Sequence, residues 1–425
     1  MMTTTIVQPP HGGTISAIAS KSHAHRALIA AALAGGQTEI ACGETNEDIL
    51  ATVQCLTALG ARIAYDDGMF IVIPIPQPVG CVSRTLDCGE SGSTLRFMLP
   101  VACALGADAN FIMHARLPQR PLSPLYEELK AHGCSLSPQG ASPLAISGQL
   151  TGGTYTIAGN VSSQFITGLL LALPLLENDS CINVTGTLES RPYVDITLQT
   201  LADSGIEIAE QDSSFFIRGG QSFRSLATVT VEGDWSNAAC WLALGAITKE
   251  PVTVTGLNPQ SPQGDKAFLD LLIRFGAKVT ASGSSVTVTG GTLRGIDADV
   301  CANPDLVPMI AAVALAARGQ TRIQNAARLR LKECDRLSVI ASTLRALGTQ
   351  IAETPDGLLI EGGHVLHGAR VSSENDHRIA MMAAVVSALC KGEVTIDQSG
   401  AVNKSYPRFF NDFRTLGGKT REDLP

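Results

Sequence analysis

Two landmarks recur along the 425 residues at nearly the same interval. The first is an Ala/Leu-rich helical stretch, a break, and then a short β-branched strand. The breaks fall at Gly35, Gly106, Asn178, Lys249, Gly319 and Gly392, which are 71, 72, 71, 70 and 73 residues apart. The second is a Leu-rich amphipathic stretch closed by glycine, as in CLTALG and LLIRFG. Its glycines, Gly60, Gly133, Gly205, Gly276, Gly348 and Gly417, stand 73, 72, 71, 72 and 69 residues apart. Self-similarity at a fixed period means one supersecondary unit copied along the chain. A glycine directly after a helix supplies its left-handed closing position, so the spacing predicts the same cap six times.

Each copy reads strand, Ala-rich helix, strand, amphipathic helix, then one or two strands, which makes the fold class α/β. The Ala-rich helices are apolar on nearly every side and are expected inside; the second helices keep a polar face. A chain this long exceeds one ordinary core, and six copies divide naturally into two domains of three. The expected domains are residues 20–231, and residues 1–19 together with 232–420, with the crossing near 231–233 in TVTVEGDWSN. The strand at residues 3–7 precedes the first helix and is expected to return to the other domain. Residues 419–425 read as a frayed polar tail.

Hydrophobic residues make up 45% and charged residues 16%, a composition for a packed interior and against disorder. Aromatics are only 4%, which does not suit base stacking, and the net charge of -8 argues against a phosphate-backbone footprint. No nucleic-acid partner is expected, although a small anion can still bind in a locally positive cleft. Residues 1–13 lack the pattern of a secretory signal. The longest apolar stretch, residues 165–176, contains Thr167, Gly168 and Pro174 and is too short to span a bilayer. Eleven cysteines without a CxxC pair read as reduced, buried small hydrophobes of a cytoplasmic protein. His23 and His25 would face different sides of a helix, so no metal is expected there. GESGSTLR fits neither the Walker A loop nor GxGxxG, which gives nucleotide binding no support.

The chemically loaded residues gather at helix starts. Those of the Ala-rich helices include Lys21-Ser22, Gly92-Ser93, Ser162-Ser163-Gln164, Asp234-Trp235-Ser236-Asn237, Asp305 and Asp376-His377-Arg378. Those of the second helices include Asn46 to Asp48, Arg120, Ser190 to Tyr193, Asp265-Lys266, Lys332-Glu333 and Lys404. Ser, Asp and Asn at such places serve equally well as N-caps. Lysine and arginine do not, because the helix dipole disfavours cations at its N-terminus. Lys21, Arg120, Lys332, Arg378 and Lys404 are expected to stand there, and the simplest partner for such a set is a bound anion sharing the free backbone N–H groups. Asp305 reads equally as a cap, and Glu333, between Lys332 and Arg336, equally as one half of an ion pair.

Together these residues resemble the enolpyruvyl transferases. The resemblance spans essentially the whole chain through SKSHAHRALI, GESGSTLRF, RPLSPL, VSSQFITGLL, SRPYVDITL, LKECDRL, ENDHRIAM and NKSYPRFF. It implies a two-domain inside-out α/β barrel with six βαβαββ repeats, three per domain. The implied reaction joins phosphoenolpyruvate to the 5-hydroxyl of shikimate 3-phosphate through a tetrahedral adduct, with no cofactor, no metal and a monomeric, cytoplasmic enzyme. Residue by residue, it implies that Lys21, Ser22, Arg26, Ser162, Ser163, Gln164, Ser190, Tyr193, Asp305 and Lys332 hold shikimate 3-phosphate, mainly on the N-terminal domain. Lys21, Gly92, Arg120, Gln164, Arg336, Arg378 and Lys404 would bind phosphoenolpyruvate, much of it from the C-terminal domain. Asp305 would take the 5-hydroxyl proton, with Glu333 and Lys21 moving protons at the vinyl carbon and the leaving phosphate. Arg328 and Glu90 depart from the family pattern, since many relatives carry Asn at both places. The branch acting on UDP-N-acetylglucosamine usually opens with Lys-Asn, where this chain has Lys21-Ser22, and carries a loop cysteine that residues 116–119 lack. RNA-phosphate cyclases share the architecture but use a histidine motif not found here.

Two polyanions must be held together away from water, so the two expected domains should close on them. Small-angle scattering should show compaction on adding both substrates, and an unchanged profile contradicts closure.

Overall fold

The computed structural model describes residues 2–79 and 83–423. The chain divides into two compact units, Ala19–Val231 and Met1–Ile18 with Glu232–Pro425.

The unit Ala19–Val231 contains α1 (Lys21–Leu33), α2 (Glu47–Leu59), α3 (Gly92–Ala104), α4 (Leu125–Ala131), α5 (Ser163–Ala172) and α6 (Arg191–Asp203). Its strands form three four-stranded sheets. In the second sheet Arg84–Asp87 pairs parallel with Ala109–Ile112, which pairs antiparallel with Leu144–Gly148, and that strand antiparallel with Cys134–Leu136. The third sheet repeats this order with Thr154–Ala158, Ser180–Thr185, Ser214–Ile217 and Ile208–Gln211. A parallel pair needs a crossover, and α3 and α5 provide it; the antiparallel partners close as hairpins. The first sheet has the same order, but the parallel partner of Thr38–Ala41 is Thr228–Thr230, from the far end of the unit.

The other unit contains α7 (Trp235–Ile247), α8 (Phe268–Phe275), α9 (Val307–Ala316), α10 (Arg336–Ala346), α11 (His377–Val386) and α12 (Phe409–Thr415). Three sheets of the same parallel, antiparallel, antiparallel order recur. One runs Gly13–Ser16, Val252–Thr255, Ser285–Thr289, Lys278–Ser282, and the next runs Asp297–Asp299, Gly319–Gln324, Gly357–Gly362, Gln350–Thr354. In the last, Arg370–Ser372 lies parallel to Val394–Asp397, and Thr3–Gln8 sits between that strand and Lys419–Asp423. The expectation of a frayed tail fails at 419–423. These residues pair with Thr3–Gln8, because an otherwise open strand edge offers backbone partners that outweigh their polarity. The strands that precede α1 and α7 in sequence, Gly13–Ser16 and Thr228–Thr230, thus each pair within the unit that does not contain the helix following them.

All six glycines of the second landmark have positive φ, from 78° at Gly205 to 115° at Gly60. The Ala-rich helices lie inside: every residue from Val307 to Leu315 of α9 is buried, as is all of α11. Small residues let these helices pack against one another closely. At the α3–α5 contact, a Cβ on Gly168 would stand 2.2 Å from the Arg96 carbonyl oxygen, which no rotamer change relieves. Gly168→Ala should therefore force α3 and α5 apart and destabilise the protein by about 1–3 kcal/mol or more. Urea unfolding of the variant against wild type measures that loss.

Candidate active site

In the unit Ala19–Val231 the starts of five helices are joined by side-chain hydrogen bonds. Lys21 opens α1, and its Nζ lies 2.7 Å from Asp48 Oδ2 in the first turn of α2. His25 Nδ1, Thr52 Oγ1 and Thr94 Oγ1 continue the connection from α1 through α2 to α3, each step 2.7 Å. Gly92 opens α3, with Ser91 as its N-cap. A Cβ at Gly92 would stand 2.7 Å from Arg120 Nη1 and 2.8 Å from Arg96 Nη1, so two guanidinium groups lie over this glycine. Ser162 caps α5 by accepting from the Gln164 amide, and buried Ser163 follows it. Gln164 accepts from Arg96 Nη1 at 2.7 Å and donates to Ser93 Oγ at 2.8 Å. Ser190, in the left-handed region at φ 54°, turns the chain into α6.

Arg26 stands behind these groups. It is 2% exposed, and its hydrogen bonds all end on neutral oxygens: Ser22 O at 2.6 Å, Tyr193 O at 2.8 Å, Thr197 Oγ1 at 2.8 Å and Thr167 Oγ1 at 3.3 Å. Burial lowers its pKa, since neutral partners only partly replace water around the charge. Its guanidinium braces the backbone of Ser22 and Tyr193.

In the other unit the charges meet at Arg336, the first residue of α10, which is 2% exposed. Its Nε donates to Asp376 Oδ2 at 2.6 Å, Nη1 to Asp305 Oδ1 at 2.8 Å, and Nη2 to Glu333 Oε2 at 2.6 Å. Asp305 lies in the 3-10 turn Pro304–Leu306 ahead of α9. Its carboxylate also meets Arg378 Nη2 at 3.3 Å and Lys332 Nζ at 3.4 Å. Burial pushes the Asp305 carboxyl up, but Arg378, Lys332 and Arg336 outweigh it and hold it well below the usual carboxylate range. Burial pulls the Lys332 ammonium down to about 8, against the opposing pull of Asp305. Arg378 also donates to Ser236 Oγ at 2.8 Å, and burial raises the neighbouring Asp265 to about 6, against the pull of Arg378. Lys404 is buried and donates to the Asn375 carbonyl at 2.6 Å.

The expected register of cations at helix N-termini holds for Lys21 and Arg378 only. Arg120 follows the 3-10 turn Leu117–Gln119, and α4 begins at Leu125. Lys332 follows the turn Ala327–Leu331, and Lys404 ends the turn Ser399–Lys404. Pro121, directly after Arg120, disfavours helix at that residue. Asp335 takes the N-cap of α10, which leaves Lys332 outside the helix. Lys21, moreover, is paired with Asp48 and Arg378 with Asp305, so protein carboxylates meet these cations directly. Among the described residues no group of three or more His, Cys, Asp or Glu side chains could hold a metal. No helix among them is long and apolar enough to cross a membrane.

Residues 8–413 match the family model described as EPSP synthase (3-phosphoshikimate 1-carboxyvinyltransferase). The chain belongs to the EPSP synthase family. A 3-phosphoshikimate 1-carboxyvinyltransferase of Clostridium perfringens is 41% identical over 416 residues, covering 97% of each chain. One of Clostridium botulinum is 40% identical over 423 residues, covering 96% of each. Among solved structures, an EPSP synthase from Acinetobacter baumannii superposes over 100% of both chains with a TM-score of 0.83 at 25% identity. The enolpyruvyl transferase NikO of Streptomyces tendae, at 19% identity and a TM-score of 0.81, shares the fold.

Sequence reasoning missed Arg96, which holds Gln164; Asp48, Ser236 and Asp376 stand among the helix-start residues it singled out, but not their pairing with Lys21, Arg378 and Arg336. Arg96 had a readable sign, since it stands one helical turn after Gly92 and hence on the same face. The Asp376–Arg336 pair spans 40 residues and two helices, and neither local sequence predicts it.

Lys332 is protonated below about pH 8 and loses its charge above it. Affinity for an anionic substrate should fall as pH rises through that value. Lys332→Arg stays charged and should flatten the decline. Calorimetric titrations at pH 7 and pH 9 compare the two proteins.

Proposed function

We propose that this chain transfers the enolpyruvyl group of phosphoenolpyruvate to the 5-hydroxyl of shikimate 3-phosphate, releasing phosphate, as a step of aromatic amino-acid biosynthesis. The observation that carries this reading is the cluster in which Asp305 is held by Arg336, Arg378 and Lys332. With it goes the family membership of nearly the whole chain. The proposed fold reading is two inside-out α/β domains of three βαβαββ copies each. The proposed state is a cytoplasmic monomer that needs no cofactor.

In the proposed assignment Lys21, Ser22, Ser162, Ser163, Gln164, Ser190 and Tyr193 take shikimate 3-phosphate with Arg26 bracing them, and Asp305 and Lys332 complete that set. Gly92, Arg120, Gln164, Arg336, Arg378, Lys404 and again Lys21 take phosphoenolpyruvate. The planar guanidinium groups suit its carboxylate and phosphate, which they can grip in two places.

Proton transfer then follows from electrostatics. With no substrate present, Asp305 is a weak base, because three cations favour its ionised form. An incoming phosphate or carboxylate competes for Arg336, Arg378 and Lys332. As they turn part of their field to the substrate, the proton affinity of Asp305 rises and it can accept the 5-hydroxyl proton. Glu333, tied to Arg336, and Lys21, tied to Asp48, stand ready for the proton steps at the vinyl carbon and the leaving phosphate.

Purified protein should release phosphate from phosphoenolpyruvate with shikimate 3-phosphate and not with UDP-N-acetylglucosamine; the reverse result sinks the reading. Asp305→Asn and Glu333→Gln should still bind both substrates while turnover drops about 100-fold or more, the range general acid–base catalysis contributes. Loss of binding with turnover intact at saturation would make them binding groups instead.

A further inference from the structure

We propose that the Ser93 hydroxyl donates a hydrogen bond to an anionic group of phosphoenolpyruvate, and that Arg96 and Gln164 are positioning residues that fix the direction of that donation. The inference rests on the function proposed above. Arg96 Nη1 lies 2.7 Å from Gln164 Oε1, and Gln164 Nε2 lies 2.8 Å from Ser93 Oγ. A guanidinium only donates, so the Gln164 atom facing Arg96 must be its carbonyl oxygen, and a flipped amide is excluded. The amide NH2 therefore faces Ser93 and donates to Oγ. Ser93 Oγ is thereby an acceptor toward Gln164, and its own hydrogen must be donated elsewhere. Among the described residues Gln164 is the one hydrogen-bond partner of Ser93.

The start of this relay cannot turn. Arg96 is 3% exposed, its Nη2 donates to the Pro121 carbonyl at 3.0 Å, and its guanidinium lies 5.6 Å from the centre of the Phe165 ring. Pro121 directly follows Arg120, the second guanidinium over Gly92. A carboxylate or phosphate can accept from two neighbouring guanidinium groups at once. Ser93 is the residue after Gly92, half-buried at the same start of α3. Its hydrogen joins the guanidinium hydrogens on that anion.

The test is a double-mutant cycle read by KM and kcat. Ser93→Ala should raise KM for phosphoenolpyruvate about tenfold, the worth of one hydrogen bond to a charged group, with kcat little changed. Ser93→Thr, which keeps the hydroxyl, should restore it. Ser93→Cys, nearly the same size with a weak donor, should behave like Ser93→Ala. In Gln164→Glu the introduced carboxylate accepts from both Arg96 and Ser93 and turns the Ser93 hydrogen away from the substrate. Adding Ser93→Ala to that background should then cost nothing further, which a merely structural serine would not show. A wild-type KM in Ser93→Ala, or the same tenfold penalty in both backgrounds, overturns the inference. Absence of phosphate release by the wild-type protein counts against the proposed function instead. Calorimetric binding of phosphoenolpyruvate to the same variants still reads the role of Ser93 in that case.

Discussion

Arg336 is 2% exposed and shares one guanidinium among Asp305, Glu333 and Asp376, each within 2.8 Å. A buried cation of this kind is tolerated only when its hydrogen bonds are made, and removing one partner from such a set costs about 3–5 kcal/mol. The three carboxylates come from the turn before α9, the loop before α10 and the N-cap of α11. Fixing Arg336 therefore fixes three helix starts at once. Asp376 contributes twice, since its other oxygen accepts from the Arg378 amide at 2.9 Å and so caps α11.

On the proposed function, this arrangement explains how the site is stable before an anionic substrate arrives. Arg336 and Lys332 lean on Asp305, Arg378 on Asp305 and Ser236, and Lys404 on a backbone carbonyl. In that reading an anion would replace part of these contacts instead of entering an empty ring of repelling charges. Such an exchange would have a chemical consequence, because each cation drawn from Asp305 leaves that carboxylate more basic.

The unit Ala19–Val231 handles charge differently. Arg26 is surrounded by hydroxyl and carbonyl oxygens instead of carboxylates, and Gln164 is held between a guanidinium and a hydroxyl. Neutral partners set direction without adding negative charge beside Arg26 and Arg96, whereas Lys21 at the start of α1 is met by the Asp48 carboxylate.

The period of about 71 residues, the positive φ of the six capping glycines, and the burial of the Ala-rich helices could all be read along the chain, because each depends on neighbours within one or two turns. The gathering of Lys21, Gly92, Gln164, Asp305 and Arg378 near helix starts was legible for the same local reason. The helix-start placement of Arg120, Lys332 and Lys404 was misjudged because turns and prolines delay the following helices. The pairing of Lys419–Asp423 with Thr3–Gln8 joins opposite ends of the chain, and local polarity pointed to a frayed tail. Sequence by itself thus determined the repeated unit, its caps and the residue types available for chemistry. Only the tertiary structure decided which carboxylate meets which cation and which way each hydrogen points, because those depend on distances of a few ångströms between residues far apart in the chain.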